Sequence, residues 1–120
     1  MLFYEVNLTV TSDIINEYAS WLRSHVREML ELDGFEAAAW YERSDDAETI
    51  PDGDDVQGTR LWTLHYQVRD REALQAYFDD HAEAMRQAGA KYADDVEVDR
   101  RILQQRTVFT AKRGEDTGPM

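Results

Sequence analysis

Three histidines, His25, His65 and His81, have the side-chain type best suited to acid–base chemistry near neutral pH. His25 and His81 each fall at the centre of an apolar stripe with helical spacing, whereas His65 lies in an alternating segment. If both helices cover one sheet face, His25 and His81 approach each other or share a cavity above Tyr66. A histidine would then act as general base or orient a ligand, with Tyr66 polarising that ligand. The alternative is that both histidines are buried, neutral and hydrogen-bonded in the core.

A second polar group is predicted on the opposite face of the sheet. By alternation His65 shares that face with Gln67, and with Asn7 on a neighbouring strand. The group indicates either a hydrogen-bonded seam between two subunits or a ligand channel. On the helical side, Tyr18 and other aromatic rings either fill the core or surround a flat aromatic ligand. The candidate ligand-binding residues are therefore Asn7, His65, Gln67 and Tyr18.

The sequence offers no pattern for a metal, a cofactor or a covalent nucleophile. It has no cysteine, and His65 lies across the predicted sheet from the other two histidines, which disfavours a three-histidine site. The glycine-rich loops that hold phosphates and dinucleotides are absent, as is the Gly-x-Ser-x-Gly turn. We therefore expect neither a metal nor a cofactor.

Length and charge limit the remaining classes of function. The 120 residues fit one domain, and 25 acidic against 13 basic residues give a net charge of -12. That charge disfavours nucleic acid and anionic membrane surfaces as partners, and no apolar run has the length of a membrane helix. The start of the chain lacks the pattern of a secretory signal, so we expect a cytoplasmic protein. Abundant Asp with scarce Lys suggests adaptation to a salty cytoplasm or a high-GC genome.

The first half of the chain predicts a strand, a helix and a strand. Residues 2–10 alternate with period two, and helical spacing follows from Ile14, with an N-cap predicted in 11–13 and Gly34 in the left-handed position after the helix. A less regular strand covers 35–43. The acidic loop 44–59 lacks the ligand spacing of a helix–loop–helix calcium site, so a solvated excursion is predicted there.

The second half repeats this plan. A third strand is predicted over 60–69, and a second helix from an Asp70 cap to Gly89. A fourth strand is predicted over 96–110, and residues 111–120 as a disordered tail. Residues 1–110 are thus predicted to form one domain.

The order β-α-β-β-α-β predicts a ferredoxin-like α+β fold. Short right-handed crossovers give a four-stranded antiparallel sheet of order 4-1-3-2, with both helices on one face. The other sheet face is then bare. We expect it to pack against a second copy, so that the two sheets of a homodimer form a dimeric α+β barrel.

Four stretches resemble a family of short bacterial proteins of unknown function: MLFYEVNLTV at 1–10, WLRSHV at 21–26, VRDREAL at 68–74 and HAEAMR at 81–86. The resemblance runs from Met1 to about Phe109, apart from the acidic loop, which is longer and more acidic here. That family resembles the dimeric α+β barrel superfamily, which includes cofactor-independent quinol monooxygenases, haem-degrading enzymes and muconolactone isomerases. The resemblance implies the fold and the dimer, whereas a fold alone does not imply an activity.

Three functions follow as hypotheses. The first is a homodimeric barrel that binds a small apolar or aromatic molecule. The second is a cofactor-independent monooxygenase or isomerase that uses His81, His25 and Tyr66. The third is a non-catalytic module that recruits another protein. A cavity beside the helix histidines would favour the first two, and a solid core the third.

Overall fold

A computed structural model of the chain describes residues 1–51 and 58–112. Its regular elements, in chain order, are β1 (Leu2–Val10), α1 (Ile15–Met29), β2 (Phe35–Glu42), β3 (Arg60–Val68), α2 (Arg71–Asp80), α3 (Ala82–Ala88) and β4 (Val96–Gln104). The strands form one antiparallel sheet in the order β2-β3-β1-β4. This order confirms the predicted ferredoxin-like α+β topology.

Strict alternation in β1 and β3 gives the sheet its two faces. Tyr4 pairs with Tyr66 and Val6 with Leu64 in the β1–β3 register, and all four side chains are buried on the helical side. The buried side chains of α1 and α2 that complete this core are Tyr18, Leu22, Met29, Ala73, Leu74 and Tyr77. Burial of each large apolar side chain contributes about 1.5–3 kcal/mol, so this single layer stabilises the domain.

A β-bulge explains why the second strand is irregular in sequence. Phe35 opposes Val68, but the next paired residue is Ala37, which opposes Gln67, so Glu36 is the extra residue. The bulge changes the alternation and keeps both Phe35 and Trp40 on the helical side, where they contact the core.

Asp70 begins α2 as predicted, whereas α1 ends at Met29, before the predicted position, and Gly34 lies in the turn that leads to β2. Gly34 has a φ of +86°, in the left-handed region that glycine adopts without strain, and its carbonyl accepts a hydrogen bond from the Arg69 N–H at 2.8 Å. The Asp70 carboxylate accepts from the Ala73 N–H at 2.8 Å and caps α2. The side-chain cap predicted at 11–13 is wrong, because a 3-10 turn forms there without one.

The second predicted helix is broken at His81, which has a φ of -130° and a ψ of -26°. Asp79 and Asp80 end α2, and acidic side chains are unfavourable at the negative end of a helix. The His81 N–H still donates to the Tyr77 carbonyl, and the His81 carbonyl accepts from the Met85 N–H. The chain therefore stays hydrogen-bonded through the break, but the His81 side chain is exposed.

The fourth strand is shorter than predicted because its only neighbour in the sheet order is β1. The β1–β4 register ends with Leu2 opposite Gln104, so the strand ends there. Parts of two further predictions, for the acidic loop at 52–57 and for the tail at 113–120, lie outside the described residues. No helix in the described part of the chain is long and apolar enough to cross a lipid bilayer.

Candidate functional site

A cavity of about 350 Å³ lies between the helices and the sheet. Its lining on the sheet comes from Tyr4 and Tyr66 on the two central strands, and α1 supplies Tyr18 and His25. The volume falls in the range of small-molecule sites, which are concave, mostly apolar and lined by aromatic side chains. The predicted cavity between helices and sheet is therefore present.

Burial sets the protonation states around this cavity. It lowers the pKa of His25, with a smaller contribution in the same direction from the Arg100 charge and an opposing one from Glu28. Burial also raises the pKa of Tyr18 to about 12 and raises the pKa of Tyr66 well above its usual range. At neutral pH the imidazole is therefore a neutral proton acceptor, whereas the two phenols are hydrogen-bond donors.

The Tyr4 hydroxyl is a buried polar group at this cavity that makes no hydrogen bond with the described protein atoms. Tyr4 is 3% exposed. Arg86, whose pKa is raised first by hydrogen bonding with this hydroxyl, and Tyr77 both lie close to it, but neither reaches it at a full hydrogen-bonding distance and angle. Nearly all buried polar groups in folded proteins have a partner, so this one is suited to an exogenous molecule.

Two arginines of the cavity lining were not predicted from the sequence. Arg86 comes from α3 and Arg100 from β4. Alternation could have predicted Arg100, because it lies on the same face of β4 as Val96 and Val98, which also line the cavity. Arg86 gave no comparable signal, because the break at His81 changes which side of the following helix faces the sheet.

The expectation that His81 shares the cavity with His25 is wrong. His25 is half-buried, lines the cavity and stacks on Trp21. His81 is exposed at the junction of α2 and α3 and is not one of the described lining residues. Of the three residues predicted to carry catalysis, the structure thus brings together His25 and Tyr66, and leaves His81 outside.

The opposite sheet face carries a second group of polar side chains, centred on Glu5. Glu5 is 4% exposed, although it lies away from the helices. Its carboxylate accepts hydrogen bonds from Asn7 at 2.8 Å and from Arg101, and its second oxygen lies 2.7 Å from His65 Nε2. Burial alone would raise the pKa of Glu5, but these three hydrogen bonds outweigh burial and hold it below its ordinary value.

The group extends along the face through Asn7. The Asn7 Oδ1 accepts a hydrogen bond from Thr63 Oγ1 at 2.6 Å. Arg43 Nη1 donates to Thr63 Oγ1 at 3.1 Å and to the Trp62 carbonyl at 2.9 Å. We call this set, Glu5, Asn7, Arg43, Thr63, His65 and Arg101, the open-face network. Its members form hydrogen bonds that join β1, β3 and β4 with Arg43, the residue that follows β2.

The predicted ligand-binding residues are divided between these two places. Asn7 and His65 belong to the open-face network, and Tyr18 lines the cavity on the other side of the sheet. Gln67 lies on the open face but bonds elsewhere, donating to Glu36 at 3.4 Å. Within residues 1–51 and 58–112, no three histidine or carboxylate side chains are grouped so as to hold a metal ion.

Solved structures share this architecture at low sequence identity. SnoaB, a cofactor-independent oxygenase from Streptomyces nogalater, is 9% identical with a TM-score of 0.64, over 92% of this chain and 98% of that one. The At3g17210 protein of Arabidopsis thaliana is 14% identical with a TM-score of 0.61, over 90% and 99%. HapK from Hahella chejuensis is 12% identical with a TM-score of 0.59, over 94% and 100%. At these identities the likeness shows the fold alone.

The sequence itself places the chain more narrowly. No curated protein matches it. The family model described as a domain of unknown function, DUF4286, matches residues 1–106, and the chain therefore belongs to that family.

Proposed function

We propose that the protein is a homodimeric α+β barrel that binds a small apolar or aromatic molecule in the cavity between its helices and its sheet. The observation that carries this proposal is an aromatic-lined cavity of about 350 Å³ at which the buried Tyr4 hydroxyl lacks a full hydrogen bond. If the Tyr4 hydroxyl had no role, phenylalanine would fill the same place in the core at little cost in stability. A ligand with an oxygen atom facing Tyr4 gives the hydroxyl its hydrogen bond.

The first measurement is native mass spectrometry of protein purified from its expression host, because a co-purified ligand adds mass. The second is calorimetric titration with 2-naphthol, a two-ring aromatic probe, against wild type and two variants. Ala90→Trp places an indole at a lining position, and the matched Ala88→Trp places one at an exposed position outside the lining. We expect Ala90→Trp to abolish probe binding and Ala88→Trp to preserve it. Equal binding by both variants, or none by wild type together with no added mass, would overturn the proposal.

The dimer is proposed through the open sheet face. The open-face network supplies hydrogen bonds to the buried Glu5 carboxylate within one chain, so a partner can cover it without leaving that charge unpaired. Tyr41, half exposed on the same face, presents an aromatic ring to the partner. Light scattering of the purified protein should give twice the mass of one chain. A monomer would overturn the barrel and leave the cavity proposal standing.

A second candidate function is favoured by His25. It is the histidine that lines the cavity, and burial lowers its pKa, so it is free to accept a proton from a bound ligand. Proton abstraction begins both isomerisation and cofactor-independent oxygenation, and SnoaB shows that the fold carries an oxygenase. Turnover of an identified ligand that is lost in His25→Gln, with binding retained, would establish the enzyme. The cavity gives both of these functions more support than a purely recruiting module.

A further inference from the structure

We propose that the ligand of the cavity is an aromatic acid, whose ring lies among the aromatic side chains and whose anionic oxygen group faces Arg86, Arg100 and Tyr4. This inference rests on the proposed function, because it assumes that the cavity binds a small molecule. It adds the charge of the ligand and the residues that recognise it.

The charged side chains in the described lining of the cavity are all basic. Arg86 and Arg100 line it, and none of the described lining residues is acidic. The chain as a whole has 25 acidic and 13 basic residues, so the basic lining of the cavity contrasts with the negative net charge of the chain. Two acidic side chains outside the lining interact with lining residues. Glu17 accepts a hydrogen bond from the Tyr92 hydroxyl at 3.1 Å, and the charge of Glu28 opposes the lowering of the His25 pKa by burial.

These two guanidinium groups are not neutralised by carboxylates within the described part of the chain. Elsewhere in the chain Arg60, Arg69 and Arg101 each form an ion pair with a carboxylate. Within residues 1–51 and 58–112, neither Arg86 nor Arg100 lies in ion-pair contact with an acidic side chain. Guanidinium groups bind carboxylates through paired N–H donors, so two of them at one cavity form a receptor for an anionic oxygen group.

The charge of Arg100 also affects other residues that line the cavity. Burial is the main influence on the pKa of Tyr18, Tyr77 and His25, but the Arg100 charge acts on all three. These groups belong to α1 and α2, so the field of Arg100 reaches across from β4 to the helices. Arg86 and Tyr4 both line the cavity, and hydrogen bonding with the Tyr4 hydroxyl raises the pKa of Arg86. An oxyanion there accepts from both.

The test compares two probes that differ in charge and share a ring system, 2-naphthoate and 2-naphthamide. Calorimetric titration of wild type should give affinity for the acid that is at least about tenfold higher than for the amide, because charge-assisted hydrogen bonds are the stronger kind. Arg86→Gln and Arg100→Gln should each remove most of this preference, because they lower the affinity for the acid much more than the affinity for the amide. The matched control is Arg27→Gln, an exposed arginine of α1 outside the cavity lining, which should keep the wild-type preference.

The Tyr4→Phe variant distinguishes a loss of ligand binding from a folding defect. Removing an unpartnered buried hydroxyl should leave the melting temperature of the free protein equal or higher, while the stabilisation by 2-naphthoate falls. Equal affinity for acid and amide, blocked by Ala90→Trp, would overturn the acidic ligand and keep the proposed function. No binding of either probe, with no co-purified ligand, would overturn both.

Discussion

The indole of Trp21 and the imidazole of His25 lie one turn apart on α1 and stack, with ring centroids 4.7 Å apart and planes inclined by 12°. Both rings line the cavity. The stack covers one face of the imidazole and removes it from water, which agrees with a pKa of His25 lowered first by burial. A neutral imidazole is thereby held at the cavity wall at physiological pH.

This arrangement predicts a pH dependence of stability. Because the folded pKa of His25 lies below the unfolded value, the unfolded chain binds the proton first. The free energy of unfolding should therefore fall as the pH drops below 6.5, the ordinary value for His25. His25→Gln should weaken this slope in thermal melts between about pH 7 and 5.5, while His81→Gln, at an exposed position, should leave it unchanged. An unaltered slope in His25→Gln would show that another group titrates.

The buried carboxylate of Glu5 gives a second prediction, at lower pH. Its pKa lies below the ordinary value of 4.5 because hydrogen bonds outweigh burial, so its contribution is present above that pH and is lost as the pH falls through the folded pKa. Glu5→Gln should cost about 1–3 kcal/mol at pH 7, and the difference from wild type should shrink on acidification below about pH 4.5. Chemical denaturation at several pH values measures both effects. Glu36→Gln, at an exposed glutamate, is the control and should cost less than about 0.5 kcal/mol.

Two glycines with similar backbone angles allow strain and contact to be separated. Gly34 and Gly58 have φ values of +86° and +88°, but a Cβ at Gly34 would lie 2.3 Å from Ala73 Cβ, whereas one at Gly58 meets no atom of residues 1–51 and 58–112 within 4 Å. Gly58→Ala should therefore cost about 1–2 kcal/mol from the backbone alone. Gly34→Ala should cost about 2–5 kcal/mol, because overpacking adds to that strain. Equal losses in denaturant titrations would mean that α2 moves aside freely.

The proposed dimer predicts a difference between two exposed apolar side chains. Tyr41 is 50% exposed on the open sheet face, and Ile50 is 84% exposed in the loop after β2. Tyr41→Asp should give monomers in light scattering, because the new charge is desolvated in the interface without a partner. Ile50→Asp should keep the dimer. Dimers in both variants would place the interface elsewhere.

The two central strands were predictable because each carries its own signal, and the strand order followed from the order of the elements and right-handed crossovers. Alternation in residues 2–10 and 60–68 assigns every side chain to a face without knowledge of the partner strand. The helix break at His81 was not predictable in this way. The apolar stripe continues in sequence from Leu74 to Met85, so periodicity alone predicts one helix and places His81 inside.

The site was less predictable than the fold because it depends on register. The polar group of Asn7 and His65 followed from alternation, whereas the contact between Glu5 and Arg101 needs the β1–β4 pairing, which sets residues almost a chain length apart opposite each other. The same pairing brings Arg100 to the cavity. A sequence pattern reports the face of a strand, but the neighbour on that face is fixed only when the sheet is assembled.

The central place of β1 in the sheet has a consequence for synthesis of the protein. β1 is the first strand made, yet it pairs with β3 and β4, so Leu2 meets Val68 on one side and Gln104 on the other. A strand with one apolar face thus leaves the ribosome long before either of its neighbours in the sheet is made. Closing such long loops slows folding, so we expect milliseconds to seconds and not microseconds. Until β3 and β4 have been made and paired, we expect α1 or a chaperone to cover the apolar face of β1.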